Sequence, residues 1–153
     1  MFARYTRDPD VTRMLTWPPH ESIDRTRRFL RRCLTGIAAG TVVPWLVTER
    51  GDDRPIGMIE LRPAGPRAEL GYVLGRAWWG RGLMTEAASA VVAWGLADPA
   101  IFRVWAVTDV DNQRSARVLE KAGMQREGLL RRWLVHPALG PEPRDCWCFA
   151  RVR

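Results

Sequence analysis

The sequence predicts a mixed α/β fold, in which one sheet contains antiparallel and parallel strands and carries helices on both faces. The antiparallel part is a hairpin, because strand-like segments 44–50 and 56–62 flank the turn Gly51–Arg54. The parallel part follows from the order strand, helix, strand, helix over residues 68–122, since parallel strands need a crossover connection. In sheets of this kind, ligands bind at the carboxyl ends of the strands.

The length of 153 residues predicts a single domain, residues 1–153, with its own hydrophobic core. No apolar segment approaches the roughly 20 residues that a membrane-spanning helix needs. The first residues also lack the apolar stretch of a signal peptide. We therefore expect a cytoplasmic protein without a membrane partner, either a monomer or a homodimer.

Two helices are predicted before the hairpin, at 8–15 and from about residue 21 to 39. In the second helix the arginine-rich run 25–32 is expected to lie on the solvated side. The opposite, core-facing side is expected to carry the apolar residues at helical spacing, which are Ile23, Leu30, Leu34 and Ile37. After the hairpin the predicted elements are strand 68–74, a helix from Leu83, strand 102–108, helix 112–122, and strands 125–135 and 145–153.

The cysteines predict neither a disulfide nor a metal centre. Cys146 and Cys148 point to opposite faces of a strand, which disfavours a bridge between them. His20 and His136 are isolated, so no zinc-binding set is complete. Free thiols in a reducing compartment are the expectation.

The charge balance of 24 basic and 17 acidic residues gives a net charge of +7, and every basic residue except Lys121 is an arginine. Such a surface suits nucleic acid, an acidic protein, or an anionic cofactor such as coenzyme A. The absence of a recognised nucleic-acid motif argues against nucleic acid.

A glycine turn follows strand 68–74 in the segment Trp79-Gly-Arg-Gly82. Glycines let backbone N–H groups approach a ligand, and the following helix adds the positive end of its dipole, so the turn suits a phosphate group. No P-loop lysine follows. Thr85 occupies the place of the third glycine in a dinucleotide motif, which weakens that interpretation but leaves it open, because Asp109 and Asp111 follow at about the distance of the motif's acidic residue. On the turn alone, a phosphate site and a purely structural turn both remain open.

A second segment, Asn112-Gln-Arg-Ser115, follows the buried strand 102–108. By itself Asn112 is adequately explained as a helix N-cap. With the glycine turn, however, this segment resembles the GNAT acetyltransferases, specifically the RimJ/RimL-like branch of ribosomal-protein N-terminal acetyltransferases. The matching blocks, spread over about residues 69–131, are Glu69-x-Gly-Tyr-x-Leu74, Trp79-Gly-Arg-Gly82, Thr85-Glu-Ala87, Asn112-x-x-Ser115, Val118–Gly123 and Glu127-Gly128.

The resemblance implies a splayed mixed sheet that holds acetyl-CoA between strands 68–74 and 102–108, with no metal. It places the pantetheine arm on the backbone of Tyr72, Val73 and Leu74 and on Asn112. It places the pyrophosphate on the backbone N–H groups of the turn and the first helical residues, which are Gly80, Arg81, Gly82, Leu83, Met84 and Thr85. Trp79 is a further expected cofactor-binding residue. Ser115 would lie near the thioester sulfur.

The implied reaction is direct transfer of an acetyl group to a primary amine, either a protein N-terminal α-amine or a small-molecule amine. The amine must lose a proton before it attacks. Glu69 is the first candidate base and Glu60 the second, whereas Glu86 suits the helix dipole. The N–H near Leu74 could stabilise the oxyanion, and Ser115 could hydrogen-bond the leaving sulfur.

Three departures from the family pattern bear on function. The tyrosine that many GNAT enzymes place near the thiolate is Leu119 here. Ala77 replaces an Arg or Gln of many relatives, and Arg76 and Arg81 are expected to compensate for it. The usual first strand is missing. A CoA-binding or sensing module without catalysis therefore stays open, as does a basic adaptor for ribosomal RNA or protein. Trp94 and Trp105 are expected in the core, and Trp17, Trp45 and Trp133 either pack there or line the acceptor pocket.

Overall fold

A computed structural model describes all 153 residues and contains one six-stranded sheet with the strand order β1-β2-β3-β4-β6-β5. The β3–β4 pair is parallel and the other four pairs are antiparallel. The mixed sheet predicted from the sequence is therefore confirmed. The strands are β1 (Val43–Glu49), β2 (Asp52–Ala64), β3 (Arg67–Leu74), β4 (Arg103–Asp109), β5 (Gln125–Leu134) and β6 (Arg144–Val152).

No strand precedes the first helices, as expected. Strand β1 forms one edge of the sheet. The helices are α1 (Pro9–Thr12), α2 (Ile23–Ala38), α3 (Leu83–Ala97) and α4 (Gln113–Lys121), with helical turns at Phe2–Thr6 and Arg76–Trp78. None of these helices combines the length and the apolar character needed to cross a membrane.

The first helix and the hairpin turn are both shorter than predicted. The Asp8 carboxylate accepts a hydrogen bond from the Asp10 N–H and caps α1, which ends at Thr12 instead of residue 15. Glu49 pairs with Asp52, so that only Arg50 and Gly51 form the turn. Gly51 takes a φ of +83°, a conformation that glycine adopts without steric cost.

Helix α3 packs closely against one face of the sheet. A Cβ atom at Gly95 would lie 2.8 Å from Leu61 Cδ1 and 3.2 Å from Val104 Cγ2, so glycine allows this approach. The core on this face also contains Leu70, Leu74, Ala88, Val92, Leu119 and Phe149. Helix α4 lies beside α3 on the same face, since the two helices are in contact.

The prediction that the apolar stripe of α2 faces the core is wrong. Ile23, Leu30, Leu34 and Ile37 are 37–66% exposed, whereas the buried residues of the helix are Thr26 and Cys33. The physical reason is a polar anchor: the Thr26 hydroxyl lies 2.7 Å from His20 Nδ1 and 3.3 Å from the Thr6 hydroxyl. This contact turns the helix so that its apolar stripe lies to one side and its arginines to the other.

The tryptophans are less buried than expected. Trp94 is 55% exposed and packs edge-on against Trp45, at 5.0 Å between ring centroids, while Trp105 is only half-buried. Trp133 is 50% exposed. All three cysteines are free thiols.

Candidate functional site

Strands β3 and β4 are paired over only a short part of their length. Their parallel register joins Arg67–Glu69 to Arg103–Trp105, and no pairing follows toward Leu74 or Asp109. The two strands therefore separate at their carboxyl ends and leave a cleft, hereafter the β3–β4 cleft. This is the splayed geometry that the resemblance to the GNAT acetyltransferases implies, at the sheet edge where open α/β sheets bind ligands.

The glycine turn lies at the end of this cleft. Gly80 and Gly82 take φ values of +75° and +80°, and a Cβ atom at either position would meet nothing within 4 Å. None of the backbone N–H groups from Gly80 to Thr85 donates to a carbonyl of the chain, and Gly82 gives α3 no side-chain cap. A row of free N–H groups at a helix N-terminus is a favourable site for a phosphate.

The peptide N–H and C=O groups along β3 point alternately toward β4 and toward β2. The Pro66 carbonyl accepts a hydrogen bond from Phe102, on the β4 side, and the Gly75 N–H donates to Ile56, on the β2 side. Because the β2–β3 register is regular, this alternation continues between the two points.

The peptide groups of Tyr72 and Leu74 consequently face the β3–β4 cleft, and those of Val73 face β2. The Leu74 carbonyl already accepts a hydrogen bond from Trp79 Nε1 at 2.8 Å, which fixes the glycine turn against β3. The N–H of Leu74 and the N–H and C=O of Tyr72 point into the cleft and stay available to a ligand. The side chain of Val73 points to the other face of the sheet from the side chains of Tyr72 and Leu74.

Asn112 is the N-cap of α4, as its position in the sequence predicts. Its Oδ1 accepts a hydrogen bond from the Ser115 N–H at 3.2 Å, so its side-chain NH2 group is left for other partners. This cap fixes the first turn of α4 beside the cleft and orients Ser115.

The Tyr72 hydroxyl lies 2.7 Å from Ser115 Oγ and 3.2 Å from the Ser115 carbonyl, across 43 residues of sequence. Burial raises the pKa of Tyr72, and the hydrogen bond with Ser115 only partly opposes this rise. Tyr72 is therefore a neutral hydrogen-bond donor at physiological pH. When its proton points to Ser115 Oγ, the serine hydroxyl proton is free to point into the cleft.

The two candidate bases share one arginine on the other face of the sheet. Arg62 donates to Glu69 at 2.9 Å and to Glu60 at 3.2 Å. The Glu60 side chain is 19% exposed and that of Glu69 is 31% exposed. Burial raises the pKa of Glu60, the Arg62 charge opposes the rise, and the Glu69 charge adds to it.

The arginines expected to compensate for Ala77 are both engaged elsewhere. Arg76 pairs with Asp8 and Asp10, at 3.2 Å and 2.8 Å. Arg81 donates to Glu49 on β1 at 2.5 Å. Of these two, only the backbone N–H of Arg81 belongs to the row of free N–H groups in the turn.

Sequence reasoning missed two features of the cleft. The first is the Tyr72 hydroxyl, since only the backbone of that residue was expected there. The second is Arg114 of α4, whose guanidinium lies 4.8 Å from the centroid of the Trp79 ring and brings a cation to the glycine turn. Leu119, which occupies the position of the family tyrosine, is fully buried in the core. No group of three or more His, Cys, Asp or Glu side chains could hold a metal ion.

The chain matches the family model described as "Acetyltransferase (GNAT) domain" over residues 1–125. It is 31% identical over 137 residues to the uncharacterized N-acetyltransferase YoaA of Bacillus subtilis, covering 88% of this chain and 77% of YoaA. It is 35% identical over 66 residues to the [ribosomal protein uS5]-alanine N-acetyltransferase of Escherichia coli, which covers 43% of this chain and 34% of that enzyme.

Among solved structures, a GNAT-family acetyltransferase from Bacillus anthracis superposes with a TM-score of 0.83 at 25% identity, over 97% of this chain and 85% of the other. The microcin C7 self-immunity acetyltransferase MccE, in complex with acetyl-CoA and AMP, gives 0.83 at 18% identity over 94% and 79%. RimL, the ribosomal L7/L12 α-N-protein acetyltransferase in complex with coenzyme A, gives 0.80 at 21% identity over 92% and 79%. The chain is therefore an N-acetyltransferase that belongs to the GNAT family.

Proposed function

We propose that this N-acetyltransferase takes its acetyl group from acetyl-CoA and transfers it directly to a primary amine while both substrates are bound. The observation that carries the proposal is the row of free N–H groups from Gly80 to Thr85, at the end of a cleft between separated strands. Structural neighbours that bind acetyl-CoA or coenzyme A support this choice of donor.

In this proposal the donor supplies an activated thioester, and the residues of the chain position it and move protons. The N–H groups of the turn hold the pyrophosphate, and Asn112 and the cleft-facing peptide groups of β3 hold the pantetheine arm. The Leu74 N–H stabilises negative charge on the carbonyl oxygen. Ser115, held by Tyr72, hydrogen-bonds the sulfur as the carbon–sulfur bond breaks.

The acceptor amine loses its proton to one of the two carboxylates that pair with Arg62. Glu69 and Glu60 both remain candidates, and the lower exposure and raised pKa of Glu60 favour it over Glu69. The acceptor is a protein N-terminus or a small amine. The three free thiols fit the cytoplasmic location predicted from the sequence.

Two measurements test this function. Acetyl-CoA should raise the melting temperature, and an amine panel should release free thiol from acetyl-CoA in the presence of the protein. No thermal shift at millimolar acetyl-CoA would refute the donor. A shift without thiol release from any amine would leave a binding module instead of an enzyme.

A further inference from the structure

A cavity of about 480 Å³ lies between α2 and the face of the sheet opposite α3 and α4. Its floor includes Met58 and Val73, which pair across β2 and β3. Aromatic side chains, among them Trp17 and Phe29, form part of its wall. A cavity of this size and mixed lining suits a small molecule.

Four arginines of α2, which are Arg25, Arg28, Arg31 and Arg32, line this cavity. None of them pairs with a carboxylate, in contrast to Arg27 of the same helix, which donates to Asp24 at 2.9 Å. The sequence predicts that these arginines form the solvated side of the helix, and Arg28, Arg31 and Arg32 are exposed while Arg25 is half-buried. The orientation that Thr26 gives α2 places this solvated side beside the cavity.

The electrostatic field of the cavity is positive. Burial lowers the pKa of His20, another residue of the wall, and the charges of Arg25 and Arg32 lower it further. Unpaired guanidinium groups form bidentate hydrogen bonds with carboxylates and phosphates. The same charges repel an acceptor that carries several positive charges.

The cavity also adjoins the proposed reaction site. Val73 lies between Tyr72 and Leu74, whose peptide groups face the β3–β4 cleft. Glu60 lies two residues beyond Met58 on the same face of β2, at about 7 Å along the strand. A molecule in the cavity can therefore place an amine near the candidate base while another part of it contacts the arginines.

We propose that the acceptor is a small primary amine bearing a carboxylate or a phosphate, and that the arginines of α2 bind this anionic group. This inference rests on the proposed acetyl transfer and specifies its acceptor. The aromatic wall contacts the apolar part of the same molecule.

The first test compares amines that differ in charge. The pairs are O-phosphoethanolamine with ethanolamine, and β-alanine with propylamine, and spermidine represents the polyamines. We expect the anionic member of at least one pair to have a KM at least tenfold lower than its neutral partner, and the two pairs distinguish phosphate from carboxylate. Equal KM values, a preference for spermidine, or acetylation only of peptides with an acidic N-terminal residue would overturn the proposal.

The second test uses the double variant Arg25→Gln/Arg28→Gln, with Arg27→Gln as the matched control. Glutamine keeps the helix propensity of arginine. The double variant should raise the KM for the anionic amine at least tenfold and change kcat less than twofold, and the control should change neither. Equal effects of the double variant and the control would overturn the assignment of these arginines.

Calorimetric titration of the same amines without donor measures binding independently of turnover. If the anionic members bind no more tightly than the neutral ones, the proposal is refuted even when no amine is acetylated. Stabilisation by acetyl-CoA together with acetylation of neutral amines alone would refute this inference and leave the proposed function intact.

Discussion

The hydroxyl of Tyr72 lies 2.7 Å from Oγ of Ser115 and joins β3 to the first turn of α4 across the β3–β4 cleft. Leu119, at the position of the tyrosine that many GNAT enzymes carry, is buried in the core, so the hydroxyl pair of Tyr72 and Ser115 is what the chain offers beside the cleft. The raised pKa of Tyr72 makes it a donor that positions Ser115, not an acid that is readily deprotonated.

Tyr72→Phe should lower kcat about tenfold, which is the effect expected from the loss of one hydrogen bond, and change the KM for acetyl-CoA less than twofold. The chain has one other tyrosine, Tyr5, whose buried hydroxyl has no hydrogen-bond partner. Tyr5→Phe is therefore the matched control for the loss of a tyrosine hydroxyl. Because Tyr5 lines the cavity beside α2, the control allows a change in the KM for the amine, but kcat at saturating amine should stay unchanged. Steady-state thiol release measures both, and an equal loss in the two variants would show that the effect is not specific to Ser115.

Gly82→Val should abolish the rise in melting temperature that acetyl-CoA produces. The substitution places a side chain in the open space beside the free N–H groups and also strains a backbone with a φ of +80°. Gly65→Val is the control for strain, because Gly65 has a φ of +60° and open space around it but lies in the β2–β3 turn, outside the cleft. Acetyl-CoA stabilisation that survives in Gly82→Val would refute the proposed pyrophosphate site.

The two glutamates can be separated by the pH dependence of turnover. If Glu60 is the base, Glu60→Gln removes the acid limb of the kcat/KM profile. Glu69→Gln then removes a negative charge that raises the pKa of Glu60 and frees Arg62 to pair with Glu60 alone, so the acid limb moves to lower pH. Loss of turnover at neutral pH in Glu69→Gln, with Glu60→Gln active, would assign the base to Glu69.

Glu60 should also make stability depend on pH. Its pKa is higher in the folded state than in the unfolded chain, so the folded state binds more protons between the two pKa values. The free energy of unfolding therefore falls as pH rises through that interval. Relative to the wild type, Glu60→Gln should gain melting temperature as pH increases from about 4 to 7. A constant difference across this range would show that Glu60 ionises normally.

Features built from neighbouring residues could be predicted from the sequence, and features that depend on packing could not. The glycine turn, the cap by Asn112 and the crossover from β3 to β4 depend on short segments, and the structure brings them together at one cleft. The contact of Tyr72 with Ser115 spans 43 residues and depends on where α4 lies.

The orientation of α2 illustrates the same limit. Apolar residues at helical spacing indicate an amphipathic helix, but they do not fix which side meets the sheet. Here the hydrogen bonds of Thr26 with His20 and Thr6 fix it. No periodicity in the sequence encodes these bonds, and they bring the arginines to the cavity.

At the carboxyl end of β4, the fully buried Asp109 accepts a hydrogen bond from Arg144 Nε at 2.6 Å and lies 3.3 Å from His136 Nε2. Burial alone raises the pKa of Asp109, but the hydrogen bonds and charge of its partners outweigh burial and leave the pKa below its ordinary value. The stability that this group contributes is present above its unfolded-state pKa and is lost as pH falls through its folded-state pKa.

Asp109→Ala should lower the free energy of unfolding by about 1.5–3 kcal/mol at neutral pH, because Arg144 and the Asp111 N–H lose their hydrogen bonds to a fully buried carboxylate, although Arg144 keeps its pairing with Asp111. Asp111→Ala is the control: its carboxylate also accepts a hydrogen bond from Arg144, at 2.5 Å, but its side chain is 67% exposed, so the loss should be at most about 1 kcal/mol. Denaturant unfolding at pH 7 measures both losses. If both variants lose the same free energy of unfolding, the burial of Asp109 adds nothing to its pairing with Arg144. A larger loss for Asp109→Ala that becomes smaller at acidic pH would identify the buried carboxylate as the source of the stability.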